Sequence, residues 1–345
     1  MTKLFSVLLI GSLAAAHAMA QMAISAKSGL ISYIEGRVLL GQESVAVKSG
    51  GRLSEVKPEQ TLRTEEGRAE ILLTPGVILR LGENSAVKMI ANRLEDTRVE
   101  LTSGSAVVEA TEIDKAHAVT LLVGQASVGL RKMALLSLNA QAGIRMFKGE
   151  AQIIAGGEAQ ILREGRQLPA ATPFAVTKFD KTETDPLYRW ANRRSEIVAM
   201  ANIASARTLQ SDLRSGSPLG LGFQQGGWFY NPYFGMFTYI PLSGMLRSPF
   251  GFFYYSPGVV NRYYNQVLQA ALPVQAPAIG GAMGGPRFDS NLGYTVNTRG
   301  GMAGVVPSAP VSGGSAGVPA AAAPAPSRGD AGGGVRGGGG GGSAN

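Results

Sequence analysis

Only two histidines occur in the 345 residues, His17 and His117, and the second sits in the acidic phrase "EATEIDKAHAV". Glu109, Glu112, Asp114 and His117 have the donor types of a cation site, carboxylate oxygens and one imidazole. The competing reading is a solvated charged loop between strands, and it is preferred because no apolar surroundings enclose the set. The pairs Glu65–Glu66 and Asp180–Asp185 have the residue types of a glycosidase acid and base. That chemistry needs one carboxyl kept protonated by an apolar setting, and both pairs fall at turn edges. Cysteine is absent, which removes thiolate nucleophiles, thiolate metal sites, disulfides and lipoprotein acylation. No phosphate loop, dinucleotide fingerprint or nucleophile elbow occurs. The expectation is a protein that is not an enzyme, with no catalytic, cofactor-binding or metal-ligating residues and no cofactor.

Charge points the same way. The formal net charge is +8, yet after residue 200 there is no Lys and no Glu, only scattered Arg and three Asp. A phosphate-binding groove needs cations gathered on one face, so no nucleic-acid partner is expected. "TRGG" at Thr298–Gly301 and "VRGG" at Val335–Gly338 resemble RNA-binding Arg-Gly-Gly segments, but an exported chain would not meet RNA. "SRGD" at Ser327–Asp330 holds an adhesion tripeptide that chance explains in a tail rich in Arg and Gly.

Export is read from "MTKLFSVLLIGSLAAAHAMAQ". Lys3 precedes an apolar run from Leu4 to Ala16, and Ala18-Met19-Ala20 forms a small-x-small cleavage site before Gln21. The run is short for a span, which takes roughly 20 residues, so residues 1–20 are read as a cleaved signal peptide. The later apolar runs are all broken by charge, Pro or Gly, so no transmembrane segment is expected in the mature chain. The expected location is the periplasm or cell surface of a Gram-negative-type bacterium.

From residue 27 to 181 the pattern alternates with period two, the mark of half-buried strands. In "AEILLTPGVILRLGENSAVKM", Ala69 to Met89, the residues Ala69, Ile71 and Leu73 share one face, as do Val77, Leu79 and Leu81, then Ser85, Val87 and Met89. Ile71, Leu73, Val77, Leu79, Leu81 and Val87 are the expected core, with Glu70 and Arg80 outward. Pro75 and Gly76 make one turn, Gly82 and Asn84 the next. Four phrases echo one another: "EGRVLL", "EGRAEILL", "SGSAVVEA" and "KGEAQIIA" each place a Gly two residues before Val or Ala. A glycine leaving a turn into an inward-facing strand accounts for them. Stacked β-units or an ordinary β-domain with short turns both fit, since the spacing is irregular.

The period changes at "TDPLYRWANRRSEIVAMANIASARTL". Asp185 can cap, Pro186 suits the first helical turn, and Leu187, Trp190, Ala191, Ile197, Val198, Ala201 and Ala204 fall on one face. An amphipathic helix over 184–210, packed on the β-domain, is expected. Residues 211–269 hold a dense aromatic block, since fifteen of the chain's 24 aromatic residues lie between Phe223 and Tyr264. Pro and Gly interrupt it so often that low order is expected. Trp228, Tyr230, Tyr233, Phe234 and Tyr239 are the candidate contact surface, fit to stack on sugars, lie against a protein groove or self-associate. A collapsed segment with no single ligand is the other reading. Residues 270–345, rich in Gly, Ala and Pro, read as a disordered tail.

The β-patterned stretch resembles the FecR-domain family, on Leu79-Arg80-Leu81-Gly82, the Ser85-led strand, Leu101 to Gly104 and the later "AVTLLVGQASV". The likeness runs from about Ile31 to Asp180 and looks closest to secreted FecR-domain proteins of the acidobacterial kind. It implies a mainly β extracytoplasmic domain of short strands, solenoid-like or sandwich-like, acting through contacts. Family members of the iron-dicitrate regulator type sense a transporter and control a sigma factor. The sequence departs from that plan, having neither an anti-sigma segment nor a spanning helix. The resemblance carries no catalytic residues. The expected function is an exported scaffold that binds an envelope protein or glycan. The alternatives are a matrix component self-associating through its tail and, more remotely, FecR-type signalling through a separate membrane partner.

Overall fold

The alternation from Ala69 to Met89 becomes antiparallel strands folded around one apolar core. The computed structural model describes residues 23–24, 28–46, 53–216, 223 and 225–263. The chain divides into two units, Met1–Val274 and Gln275–Asn345, and every described residue lies in the first. The signal peptide, residues 217–222 and 264–269 of the aromatic segment, and the tail all lie outside the described residues.

β1 is Ala23–Ile24 and β2 is Leu30–Leu40, with two short strands, β3 (Glu43–Ser44) and β4 (Ser54–Glu55), after it. β5 (Thr61–Leu72) runs antiparallel along the whole of β2, from Leu30 opposite Leu72 to Leu40 opposite Leu62. On its other side β5 pairs first with β7 (Ala86–Arg93) and then with β6 (Val77–Leu81). β6 and β7 are therefore one long strand bent in the middle. The same plan repeats across the sheet. β8 (Asp96–Ser103) and β9 (Ser105–Ala110) line β7 and β6, while β11 (Ala126–Leu130) and β12 (Ala134–Asn139) line the two ends of β13 (Gly143–Ala155). β12 pairs with β9, and β10 (Val119–Val123) fills the gap between β8 and β11, parallel to β8. β14 (Glu158–Arg163) and β15 (Arg166–Leu168) follow the far side of β13, with β16 (Thr177–Lys178) on β15.

Each long strand thus contributes to two halves of a folded-over sheet. Because β13 pairs with both β11 and β12, the sheet returns on itself, and the domain is barrel-like. The mainly β expectation holds. A solenoid does not, because a solenoid stacks coils in sequence, whereas here β5 reaches both halves and β11 and β13 close the path. Ile71, Leu73, Val77, Leu79, Leu81 and Val87 all lie in the interior cluster, with Leu62, Val108, Leu121, Leu136 and Ile153. At the first turn Val77 N–H donates to the Thr74 carbonyl at 2.9 Å, and Gly76 takes φ +84°. At the second, Asn84 takes the positive φ, and Gly82 is instead needed for space, since a Cβ there would meet Ser105 Oγ at 2.8 Å.

The four echoing glycines are not turn exits. Gly36 and Gly67 sit opposite each other inside the β2–β5 ladder, Gly104 lies between β8 and β9, and Gly149 lies within β13. They are the corners at which strands pass from one half of the sheet to the other. A Cβ at Gly36 would sit 2.1 Å from the Glu66 carbonyl oxygen, and φ there is +65°. Gly36→Ala should therefore cost about 2–3 kcal/mol, combining backbone strain with a contact that cannot relax. A shift in the urea midpoint below that of an exposed-site alanine control would remove the corner role.

The helix α1 spans Pro186–Ser215. Asp185 Oδ1 accepts from Tyr188 N–H at 2.6 Å, and Gly216 ends the helix in the left-handed conformation, so it runs five residues beyond 210. α1 lies on the outer face of one half of the sheet, on Leu72, Ile78, Val107, Leu135 and Phe147. A second layer covers the helix in turn. β17 (Gly227–Asn231) and β18 (Met236–Ile240) form a hairpin, with β1 added to β17, and β19 (Met245–Arg247) pairs with β20 (Phe253–Tyr255).

This layer corrects the low-order expectation for the described part of 211–269. Trp228, Phe237, Tyr239 and Tyr254 are buried in one cluster with Val198 and Ala199 of the helix and Leu72 and Ile78 of the sheet. Pro and Gly do keep the strands to three to five residues, but β17, β18 and β20 are held by α1. Asn202 Nδ2 donates to the Tyr239 and Tyr255 carbonyls at 2.9 and 3.0 Å, and Asn202 Oδ1 accepts from Tyr255 N–H at 2.8 Å. Thr238 Oγ1 donates to the Val198 carbonyl at 2.6 Å.

Candidate functional site

Glu70 and Arg80 point out of the core, as their alternation requires, but not into water. They stand opposite each other on β5 and β6, under α1, and both are closed off from solvent. Arg80 Nε donates to Glu70 Oε1 at 2.8 Å, and Arg80 Nη1 donates to Glu109 Oε2 on β9 at 2.6 Å. The helix completes the set: Arg194 Nη2 donates to Glu70 Oε2 at 2.7 Å, and the Ser195 hydroxyl donates to Glu109 Oε1 at 2.7 Å. Arg194 also lies 3.6 Å from the Tyr33 ring centroid. Two carboxylates and two guanidiniums cancel, which is the condition for burying charge at all.

The electrostatics follow from that enclosure. Burial alone would raise the Glu70 carboxyl, but the Arg194 and Arg80 guanidiniums overcome it and hold it below the ordinary carboxylate range. Burial, with the Glu109 charge beside it, pushes the Tyr254 phenol well above its ordinary value, so it stays neutral. The network fastens helix to sheet. Its carboxylates accept from fixed donors on every side, and such groups hold an interface together rather than exchange protons with a substrate.

The other candidate residues disperse. Glu109 belongs to the buried network, the Tyr239 hydroxyl donates to Glu112, and Asp114 caps its own loop, accepting from Ala116 N–H at 2.8 Å. The His117 N–H donates to the Asp114 carbonyl at 3.0 Å, but among the described residues no three His, Cys, Asp or Glu side chains gather as a cation site. Glu65 pairs with Arg37 at 3.1 Å. Of the aromatic candidates, Trp228 and Tyr239 are core residues and Tyr230 packs on Phe237. Phe234 is half-buried beside Tyr233, which alone of the five is open, at 70% exposure. The five therefore form no shared surface, because the hairpin turns most of them onto α1.

Among the described residues, no helix or further strand layer lies on the outer face of the other half of the sheet. Two cross-strand rows run over β10, β11, β13 and β14: Leu122, Ser127, Ile154 and Ala159, and beside it Thr120, Gly129, Gln152 and Ile161. None of the eight is charged. Ile154 and Ile161 are 47% and 43% exposed. Arg98 and Glu100 on β8 border the patch, opposite Thr120 and Leu122. Alternation does signal these outward positions, but not that they stay bare while the equivalent positions on β5, β6 and β9 are sealed.

Residues 60–152 match the family model described as FecR protein, so the chain carries a FecR domain. The match opens just before β5 and ends inside β13, leaving out β2, α1 and the aromatic layer. Two crystal structures of a candidate anti-sigma factor from Parabacteroides distasonis are similar at 12% identity, with TM-scores of 0.30 and 0.29. The likeness covers 39% and 38% of this chain and 63% and 62% of theirs, less than two thirds of their length. No curated protein matches the sequence.

Proposed function

We propose, with the FecR domain of residues 60–152 as premise, that this is an exported, non-enzymatic binding protein of the cell envelope. Its FecR domain contacts another protein through the uncharged face of β10, β11, β13 and β14. The observation that carries this reading is the unequal treatment of the two halves of the sheet. One is sealed by α1 and the aromatic layer through a neutral charge network, and the other presents eight uncharged residues in two straight rows. A flat face of small and aliphatic side chains suits another protein surface. None of its eight residues carries a ring for a glycan to stack on. Burial of Trp228, Phe237, Tyr239 and Tyr254 leaves self-association fewer rings to use, with Tyr233 and Phe253 still exposed. FecR-type signalling through a separate membrane partner uses the same face and differs only in what the contact triggers.

The test is retention of envelope proteins from a detergent extract by the mature chain and by a Thr120→Lys, Ser127→Lys double variant. Both positions are half-buried on the patch, and two buried unpaired cations should weaken a protein contact by at least about tenfold. A defined protein held by the wild type and lost by the folded variant supports the reading. Identical retention by both removes this face from the function.

A further inference from the structure

We propose that β14 is a self-pairing edge, through which two copies of this chain join their sheets antiparallel about Ile161. Among the described residues β13 is the only ladder partner of β14. The two strands are joined by Gly156–Gly157, with φ +59° and +85°, a two-residue turn of the kind that fixes hairpin register. In such a hairpin the residues flanking the turn, Ala155 and Glu158, exchange both hydrogen bonds, and bonded pairs then alternate. Glu158, Gln160 and Leu162 therefore bond to β13. Ala159, Ile161 and Arg163 turn their N–H and C=O groups the other way.

Those three residues are symmetric about Ile161. A two-fold axis through that point places Ile161 opposite Ile161 of the second copy, and Ala159 opposite Arg163 in both directions. Every outward backbone group of the strand then has a partner, with no residue left over. The axis stands perpendicular to the sheet, so the Ile161 row of each copy runs on into that of the other, while the Ala159 row runs on into Arg163 and Glu150 of the other copy; the exposed Ile154 and Ile161 of both copies are neighbours. Arg163 meets alanine, where its aliphatic stem has room.

Two other edges of the large sheet carry the usual protection against such pairing, which β14 lacks. β2 is flanked by the short β3 and β4. β16 sets Lys178 directly opposite Arg166, a like-charge pair that repels an incoming strand. β14 holds six residues in unbroken register with no proline, no bulge and no lysine. One strand pair is a small interface, so the dimer should form in the micromolar range. The edge shares Ala159 and Ile161 with the proposed contact face, but its test reads the association state of the chain itself, whereas the substitutions at Thr120 and Ser127 read retention of another protein.

The chain has no cysteine, so Ile161→Cys introduces a sole thiol at the proposed axis. Opposed residues of a bonded antiparallel pair lie about 5.5 Å apart at Cα, within reach of a disulfide. In the full mature chain under mild oxidation, Ile161→Cys should cross-link at least about tenfold faster than Arg98→Cys, an exposed site on β8. Sedimentation should show a wild-type dimer that Ile161→Lys converts to a monomer with an unchanged melting temperature. A wild type still monomeric at several hundred micromolar overturns the proposal. So does a dimer that survives Ile161→Lys while Ile161→Cys cross-links no faster than Arg98→Cys, because that dimer belongs to another surface.

Discussion

Replacing Arg80 by methionine should cost about 3–5 kcal/mol of folding free energy, about a fifth or more of what a domain of this kind has to lose. Arg80 is fully enclosed and bonds to both buried carboxylates, Glu70 at 2.8 Å and Glu109 at 2.6 Å. Without it Glu70 keeps Arg194, but Glu109 keeps only the Ser195 hydroxyl, and a carboxylate is left in the interior without a cation. The cost comes from that orphaned charge, not from the loss of attraction. Adding Glu109→Met to Arg80→Met should therefore recover much of the stability, although it deletes one more polar group. Denaturant midpoints of the wild type and the three variants make the cycle. Additive losses would mean that the pair is not coupled and that packing alone explains the effect.

The same network sets an acid limit. Glu70 has a folded pKa below its ordinary value of 4.5, so the unfolded chain binds the extra proton in that window. Its contribution is fully present above about pH 4.5 and is lost as pH falls through the folded value. Since Glu70 faces Arg80 on the sheet and Arg194 on the helix, acid should loosen the helix from the sheet before the interior cluster opens. Tryptophan fluorescence reports this directly, because Trp190 and Trp228 both lie in the layers around α1.

How far the sequence discloses this architecture depends on what each residue touches. Ile71, Leu79 and Val87 alternate with polar neighbours, and a period of two is enough to place them on one side of a strand. The same period says of Glu70 and Arg80 only that they face away from that core. Whether water or another element waits there is a tertiary fact, decided by Arg194 and Ser195 more than eighty residues further on. On the helix, apolar periodicity selects Ile197 and Ala204, which are only half-buried, and passes over Arg194, Ser195 and Asn202, which are buried because each has a polar partner across the interface. A pattern of hydrophobicity cannot find a polar interface. The corner glycines were visible as an echo but not as corners, since what distinguishes Gly36 is the backbone of Glu66 pressed against it. The aromatic block misleads for a related reason: its strands are too short to be stable alone and are strands only because α1 receives them.

That dependence makes the largest effect expected here. A chain ending at Ser211 keeps the whole β-domain and nearly all of α1 but should not keep the helix in place. It lacks Trp228, Phe237, Tyr239 and Tyr254, all buried against Val198, Ala199, Leu72 and Ile78. At roughly 1.5–3 kcal/mol for each large apolar side chain, these four alone approach the net stability of an ordinary domain, about 5–15 kcal/mol. Asn202 would also lose the carbonyls of Tyr239 and Tyr255 that satisfy its amide, leaving a polar group facing the gap. The helix in turn seals Glu70, Arg80 and Glu109, so its release would bring water to the network and to the face of β5, β6 and β9. The truncated chain should show reduced helical ellipticity at 222 nm, rapid proteolysis within 186–211 and a tendency to aggregate through Leu72, Ile78 and Val107. A cooperative melt with full helical signal from that chain would show that the aromatic layer is an addition to the domain. The loss of both would make the layer part of the domain's fold, so that any binding assay on a shorter chain would measure a misfolded protein.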